Sequence, residues 1–238
     1  MNMLSSFDFG AIWRAVPYLF VEGMTFTLKL MLVAGVCGLI LGCVLATMRL
    51  SGVSALDRVA RAYVWLFRAV PLVLGLFWFY FLVPFIGGWI TGRDRPLEVS
   101  AVAAAYVTFA LYEAAYFSET IRAGIKAVSR GQLQAAYALG MPYIKVMRYI
   151  ILPQALTKML PVLLTQVIIL FQDTSLVYVL SVTDFFGAAV KIAQRDNRLI
   201  EMYSLIAVVY LAVSVTGTIY VQRLQNKLAS GMRKSVTS

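Results

Sequence analysis

The chain has 238 residues, 61% of them hydrophobic and only 13% charged, with a formal net charge of +10. Soluble domains carry nearer ~25% charged residues, so the composition argues against a soluble globular protein. There is no histidine, which excludes imidazole chemistry. The basic residues flank apolar segments instead of clustering on one polar module, which argues against a nucleic-acid partner.

The first twenty residues lack a basic start, an uninterrupted apolar run and a small-residue cleavage site, so no signal peptide is expected. Phe7, Ile12, Trp13, Val16 and Leu19 suit a short interfacial helix ending near Pro17. A bilayer span needs ~20 mostly apolar residues, and its backbone must be satisfied internally, so it is helical. Five segments meet that requirement, and the first is Gly23–Met48. Within it Gly35, Gly38 and Gly42 include one Gly-x-x-x-Gly pair, which permits close helix packing. Cys37 and Cys43 are six apart, not opposed on one face, and are read as packing residues. Arg49, Arg58, Arg61 and Arg68 fill the following loop, and Pro71 fixes the direction of the second span, Pro71–Ile90. Its aromatic residues Trp78, Phe79, Tyr80, Phe81, Phe85 and Trp89 form an interfacial belt.

The third expected span, Val99–Phe117, contains Glu113, a carboxylate that lipid does not tolerate, so it must face protein or water. Glu119 and Arg122 follow at i and i+3, near enough to pair as a gate or as a plain helix-end ion pair. Next comes a polar-to-apolar stretch, RGQLQAAYALGMPYIKVMRYIILPQAL, from Arg130 to Leu156. A short helix carrying Gln134, Ala135, Ala136 and Leu139 runs into Gly140, and a second begins at Pro142. Ile144, Met147 and Ile151 are expected on one face of that second helix, with Lys145 and Arg148 turned away. Glycine just past a helix end reverses the chain, and proline suits the first turn of the next helix. The product is a helical elbow at the membrane surface.

The fourth span, Ala155–Val182, carries the sharpest ionisable candidate, Asp173, beside Gln172, Thr174 and Ser175. A carboxylate, an amide and two hydroxyls around one turn suit the ammonium and carboxylate of an amino acid. They equally suit an interhelical hydrogen-bond cluster between two such subunits. The fifth span is Met202–Val221, and Arg223, Lys227, Arg233 and Lys234 follow it in a basic tail, residues 223–238. With the loop arginines, Lys126, Arg130, Lys145, Arg148 and Lys158, these put the basic excess on one face, which the positive-inside rule makes cytoplasmic. The N-terminus is then outside and the C-terminus inside. The organisation expected is an external segment (1–22), one transmembrane domain (23–222) and the tail.

No phosphate loop, serine-hydrolase elbow or metalloprotease motif occurs, so the chain is not expected to hydrolyse ATP or to be an enzyme. Gradient-driven carriers usually show paired internal repeats, and five spans do not divide in two. A partner ATPase is the better source of energy, although a self-contained carrier remains the alternative.

Gln134, Ala135, Ala136, Gly140, Ile150, Leu152 and Pro153 stand where the elbow of ABC-importer membrane subunits has Glu-Ala-Ala, three residues, Gly, then nine to Ile-x-Leu-Pro. The stretch resembles that loop, with Gln134 replacing the acidic residue. Phe67–Leu72 (FRAVPL) and Tyr116–Arg122 (YFSETIR) are similar to segments of the polar amino acid permeases. Phe171–Phe186 (FQDTSLVYVLSVTDFF) most resembles the permeases for glutamate and aspartate. The resemblance implies an all-α, polytopic, type I importer permease fold in a bacterial inner membrane, with a cytoplasmic coupling helix near residues 131–152. It implies two ATP-binding subunits, a second permease, identical or paralogous, and an external amino acid-binding protein as partners. It also implies contact with membrane lipid, no cofactor in this chain, and ATP with Mg2+ held by the ATPase. Gln134, Ala135, Ala136, Gly140, Pro142 and Lys145 would form the coupling surface, and Gln172, Asp173, Thr174, Ser175 and Glu113 would line the substrate path.

Overall fold

The computed structural model describes residues 7–237, with side chains as far as Leu228. Expectations for residues 1–6, and for the tail side chains Arg233 and Lys234, lie outside the described residues. Every regular element among the described residues is helical. Helix α1 (Phe9–Tyr18) starts at Asp8, whose carboxylate accepts from the Ala11 amide. The end expected near Pro17 is not there: a π-turn over Leu19–Met24 carries the helix on into α2 (Thr25–Leu50). Proline removes one donor from the ladder, and the wider turn that follows absorbs the irregularity. Next come α3 (Ser54–Ala69), α4 (Leu72–Phe77), a π-turn (Trp78–Leu82) and α5 (Val83–Ile90). Helices α6 (Ala101–Lys126), α7 (Arg130–Ala138) and α8 (Tyr143–Val146) follow. A third π-turn, Met147–Ile151, leads into α9 (Leu152–Asp173) and a 3-10 segment (Thr174–Leu180). The chain ends with α10 (Phe185–Arg195) and α11 (Leu199–Thr237).

Among the described residues, four helical stretches are long and apolar enough to cross a membrane: Phe9–Leu50, Leu72–Ile90, Tyr143–Leu180 and Leu199–Leu228. They overlap four of the five expected spans. The other expected span, 99–117, lies in α6, whose 26 residues reach about 39 Å at the usual rise. That is long enough, but α6 is diluted by Thr108, Glu113 and Ser118, all buried. A helix enclosed by other helices does not need a lipid-compatible surface.

The chain divides into two compact units. The first takes the chain up to Val36, Val70–Leu111 and Ile169–Thr216; the second takes Cys37–Ala69, Tyr112–Ile168 and the chain from Gly217. The first unit packs Leu30, Leu76, Phe109, Leu170 and Val177 in one core, and Leu19, Phe185, Ala188, Met202 and Ile206 in another. The second unit packs Val128, Ala136, Val146, Ile151 and Ala155 beneath the elbow, and Ala46, Phe117, Ile121 and Met159 between α2, α6 and α9.

Gly42 brings α2 against α6: a Cβ there would stand 2.9 Å from Phe117 Cβ and 3.1 Å from the Ala114 carbonyl oxygen. This is the close packing that the glycine spacing suggests. Cys37 and Cys43, expected as packing residues, are free and exposed. Large aliphatic side chains such as Leu32, Ile40, Val208 and Leu211 are also exposed, the surface of a chain meant for lipid or for protein partners. In the aromatic belt Phe81, Phe85 and Trp89 are exposed, whereas Phe79 and Tyr80 pack on the first unit's core.

Candidate functional site

The elbow belongs to the second unit. Ser129 caps α7 by accepting from the Gly131 amide, and α7 ends in a Schellman turn. There the Met141 amide donates to the Ala136 carbonyl (3.1 Å) and the Gly140 amide to the Tyr137 carbonyl (2.9 Å). Gly140 sits at φ +72°, the left-handed conformation that this turn requires. Pro142 caps α8.

Ala136, Val146 and Ile151 are buried in the elbow's own core. Gln134, Ala135, Pro142 and Lys145 are exposed, and Leu139 and Ile144 project at 81% and 77% exposure. The face expected for Ile144, Met147 and Ile151 is therefore split: Ile144 is outside, Met147 half-buried and Ile151 buried. The π-turn at Met147–Ile151 changes the helical phase, and a pattern read at 3.6 residues per turn does not survive it.

Glu119 is the centre of an ion network in the same unit. It pairs with Arg122, as its spacing predicts, and also with Arg49 at the end of α2. Arg49 Nε lies 3.9 Å from Asp57, which pairs with Arg61 one turn along α3. The Arg122 hydrogen bond, with the Arg49 bond and both positive charges, holds the Glu119 carboxyl below its ordinary value against the opposing effect of burial. Sequence reasoning missed Arg49 and Asp57; the Asp57–Arg61 spacing of four was the available signal. Glu113 is buried, and its Oε1 accepts from Gln166 on α9 at 3.3 Å. Gln166 was missed too.

In the first unit the four residues 172–175 are not gathered at one point. Gln172 and Ser175, three apart on one face, line an open groove of about 570 Å³ with Phe186, Tyr203, Tyr210 and Ser214. Such a volume accepts a small molecule. Gln172 donates to Ser214 Oγ at 2.9 Å, and the Ser175 hydroxyl donates to the Gln172 carbonyl at 2.8 Å. Thr174 is fully buried and donates to the Phe171 carbonyl, so its hydroxyl serves the helix end. Asp173 closes α9, does not line that groove, and is half-buried. After the 3-10 segment, Asp184 caps α10 by accepting from the Phe186 and Gly187 amides, and Thr27 Oγ1 accepts from the Phe185 amide.

An elbow built on a capped left-handed glycine, between stretches long enough to cross a membrane, coincides with a family match. Residues 38–234 match binding-protein-dependent transport system inner membrane components. This chain belongs to that family. The permease is 45% identical to the glutamate/aspartate import permease protein GltK of Escherichia coli, over 94% of this chain and 99% of that one. It is 33% identical to the arginine transport system permease protein ArtQ of Bacillus subtilis, over 94% and 98% of the two chains. Its fold is that of a chain in a crystal structure of an amino acid ABC transporter with histidines. The TM-score is 0.82 at 32% identity, covering 93% of this permease and 99% of that chain.

Proposed function

We propose that this permease is the membrane subunit of an ATP-driven importer for glutamate and aspartate. The observation that carries the reading is the 45% identity to GltK along nearly the whole of both chains. The FQDTSLVYVLSVTDFF segment, which holds Asp173, supports it from the sequence. In this reading five helices cross the membrane, α6 among them, with the N-terminus outside and the basic tail inside. Residues 1–22 form the external segment and 23–222 the transmembrane domain. The chain performs no catalysis of its own. Two ATPase subunits hold ATP and Mg2+, a second permease completes the path, and an external binding protein delivers the amino acid.

The elbow passes the ATPase motion to the helices, since coupling requires one element that both sites bias. Exposed Leu139, Ile144 and Lys145 around a rigid turn support that role. Asp173 receives the α-ammonium of the substrate or a nearby cation, and a basic residue of one subunit takes the second carboxylate. Gln172 and Ser175 contribute from the adjoining groove, Thr174 fixes the helix end, and Glu113 lines the path deeper in α6.

The test is ATP hydrolysis by the reconstituted complex when its binding protein is loaded with different amino acids. Stimulation by glutamate and aspartate but not by glutamine or arginine is the expected result. Stimulation by arginine or glutamine alone would favour the second reading, the same machinery for another polar amino acid, which the relation to ArtQ keeps in view.

A further inference from the structure

Helix α3 occupies most of the short connection between two stretches able to cross a membrane, Phe9–Leu50 and Leu72–Ile90. Its exposed Leu56, Val59 and Leu66 give it an apolar side, and Arg58, Arg61 and Arg68, with the exposed Trp65 among them, give it a basic one. Such a helix rests at headgroup level. Arg61, Val64, Trp65 and Arg68 fall at i, i+3, i+4 and i+7, one stripe of the helix. With Arg49 and Glu119 this stripe lines a groove of about 460 Å³.

The charges around the groove do not balance. Glu119 is answered by Arg49 and Arg122, and Asp57 by Arg49 and Arg61. With Arg68 on the groove as well, four guanidinium groups (Arg49, Arg61, Arg68 and Arg122) face these two carboxylates. Arg68 is exposed, lies over the Tyr116 ring at 5.5 Å, and makes no ion pair among the described residues. Its planar fork suits a phosphate oxygen pair. Trp65, 72% exposed on the same groove, is the side chain that sits at a membrane interface.

We propose that this groove binds the headgroup phosphate of an anionic phospholipid, with Arg61 and Arg68 holding the phosphate, Arg49 behind them, and Trp65 against the glycerol region. The proposal rests on the membrane placement of the chain and not on its substrate. A lipid measurement therefore reads out even if import of acidic amino acids fails.

The experiment uses the assembled transporter in phosphatidylcholine vesicles doped with brominated phosphatidylglycerol or, separately, brominated phosphatidylcholine. The Trp65 signal is the fluorescence difference between the parent and W65F complexes. Each basic side chain near a surface favours an anionic lipid by about five-fold, so brominated phosphatidylglycerol should quench Trp65 at least about five-fold more effectively per lipid. That preference should fall by about five-fold in R68Q and vanish in R61Q/R68Q. R68K, which keeps the charge but loses the planar fork, should retain only part of it, and a large excess of inorganic phosphate should leave it in place. Equal quenching by the two lipids in the parent, which needs no variant to fold, would overturn the proposal. So would a preference that survives R61Q/R68Q, or one abolished by inorganic phosphate, which would make this a site for free phosphate. Absence of quenching by either lipid would overturn it as well, because a protein subunit would then cover the groove.

Discussion

Replacing Gly140 isolates the elbow from the rest of the permease. A Cβ at this position would meet nothing within 4 Å, so a substitution brings no clash and acts only through the backbone at φ +72°. A left-handed L-residue costs roughly 1–2 kcal/mol, with the top of the strained-backbone range, about 3 kcal/mol, applying to a β-branched one. Asparagine tolerates this conformation best after glycine. At a factor of ten per 1.4 kcal/mol, Gly140→Ala should depopulate the turn by about five-fold or more and Gly140→Val by about 100-fold, with Gly140→Asn nearest to wild type. Uptake driven by ATP should fall in that order, while amino acid binding to the external protein stays unchanged. Wild-type uptake by Gly140→Val would refute the reasoning. Equal loss in all three variants would refute it too, since backbone strain predicts a graded series.

Asp173→Asn should lower the uptake efficiency by about 10- to 100-fold, the worth of one charged hydrogen bond; unchanged affinity and rate would remove Asp173 from the path, and a defect confined to permease pairing would assign it to the interface between subunits. Glu119→Gln should destabilise the chain by about 1–2 kcal/mol through Arg49 and Arg122, read as a lower melting temperature in detergent. Because the Glu119 carboxyl is held below its usual 4.5, that stabilisation is fully present above the usual value and is lost as pH falls through the lower folded one. The melting difference between parent and Glu119→Gln should be constant from about pH 7 to 5 and shrink below about pH 4; a difference that is unchanged at pH 3 would contradict the pairing. Gly42→Ala forces a Cβ to 2.9 Å from Phe117 and should destabilise by about 1–3 kcal/mol, and an unaltered melting temperature would show that α2 and α6 have room to part.

Composition and spacing made the helical, membrane-type class legible, because apolar stretches of bilayer length have few other outcomes. The elbow was legible for a similar reason: glycine after a helix and proline before the next are local rules, and Gly140 and Pro142 obey them. Its faces were not legible, since the π-turn at Met147–Ile151 shifts the phase and leaves Ile144 outside while Val146 is buried. Pro17 misled because a proline breaks a helix only when the ladder cannot widen, and here it does. The 172–175 cluster looked like one constellation in sequence, but consecutive helical residues point in different directions, and only Gln172 and Ser175 share the groove. Arg49 and Gln166 reach Glu119 and Glu113 across 70 and 53 positions, contacts that one sequence does not reveal.

The decisive measurement is radiolabelled glutamate uptake into vesicles holding this permease, its permease and ATPase partners and the binding protein, with and without internal ATP. Aspartate, glutamine and arginine serve as competitors. Uptake that requires ATP and is blocked by aspartate alone is the result expected of an ATP-driven importer of acidic amino acids. Glutamate uptake that proceeds equally without ATP would contradict it.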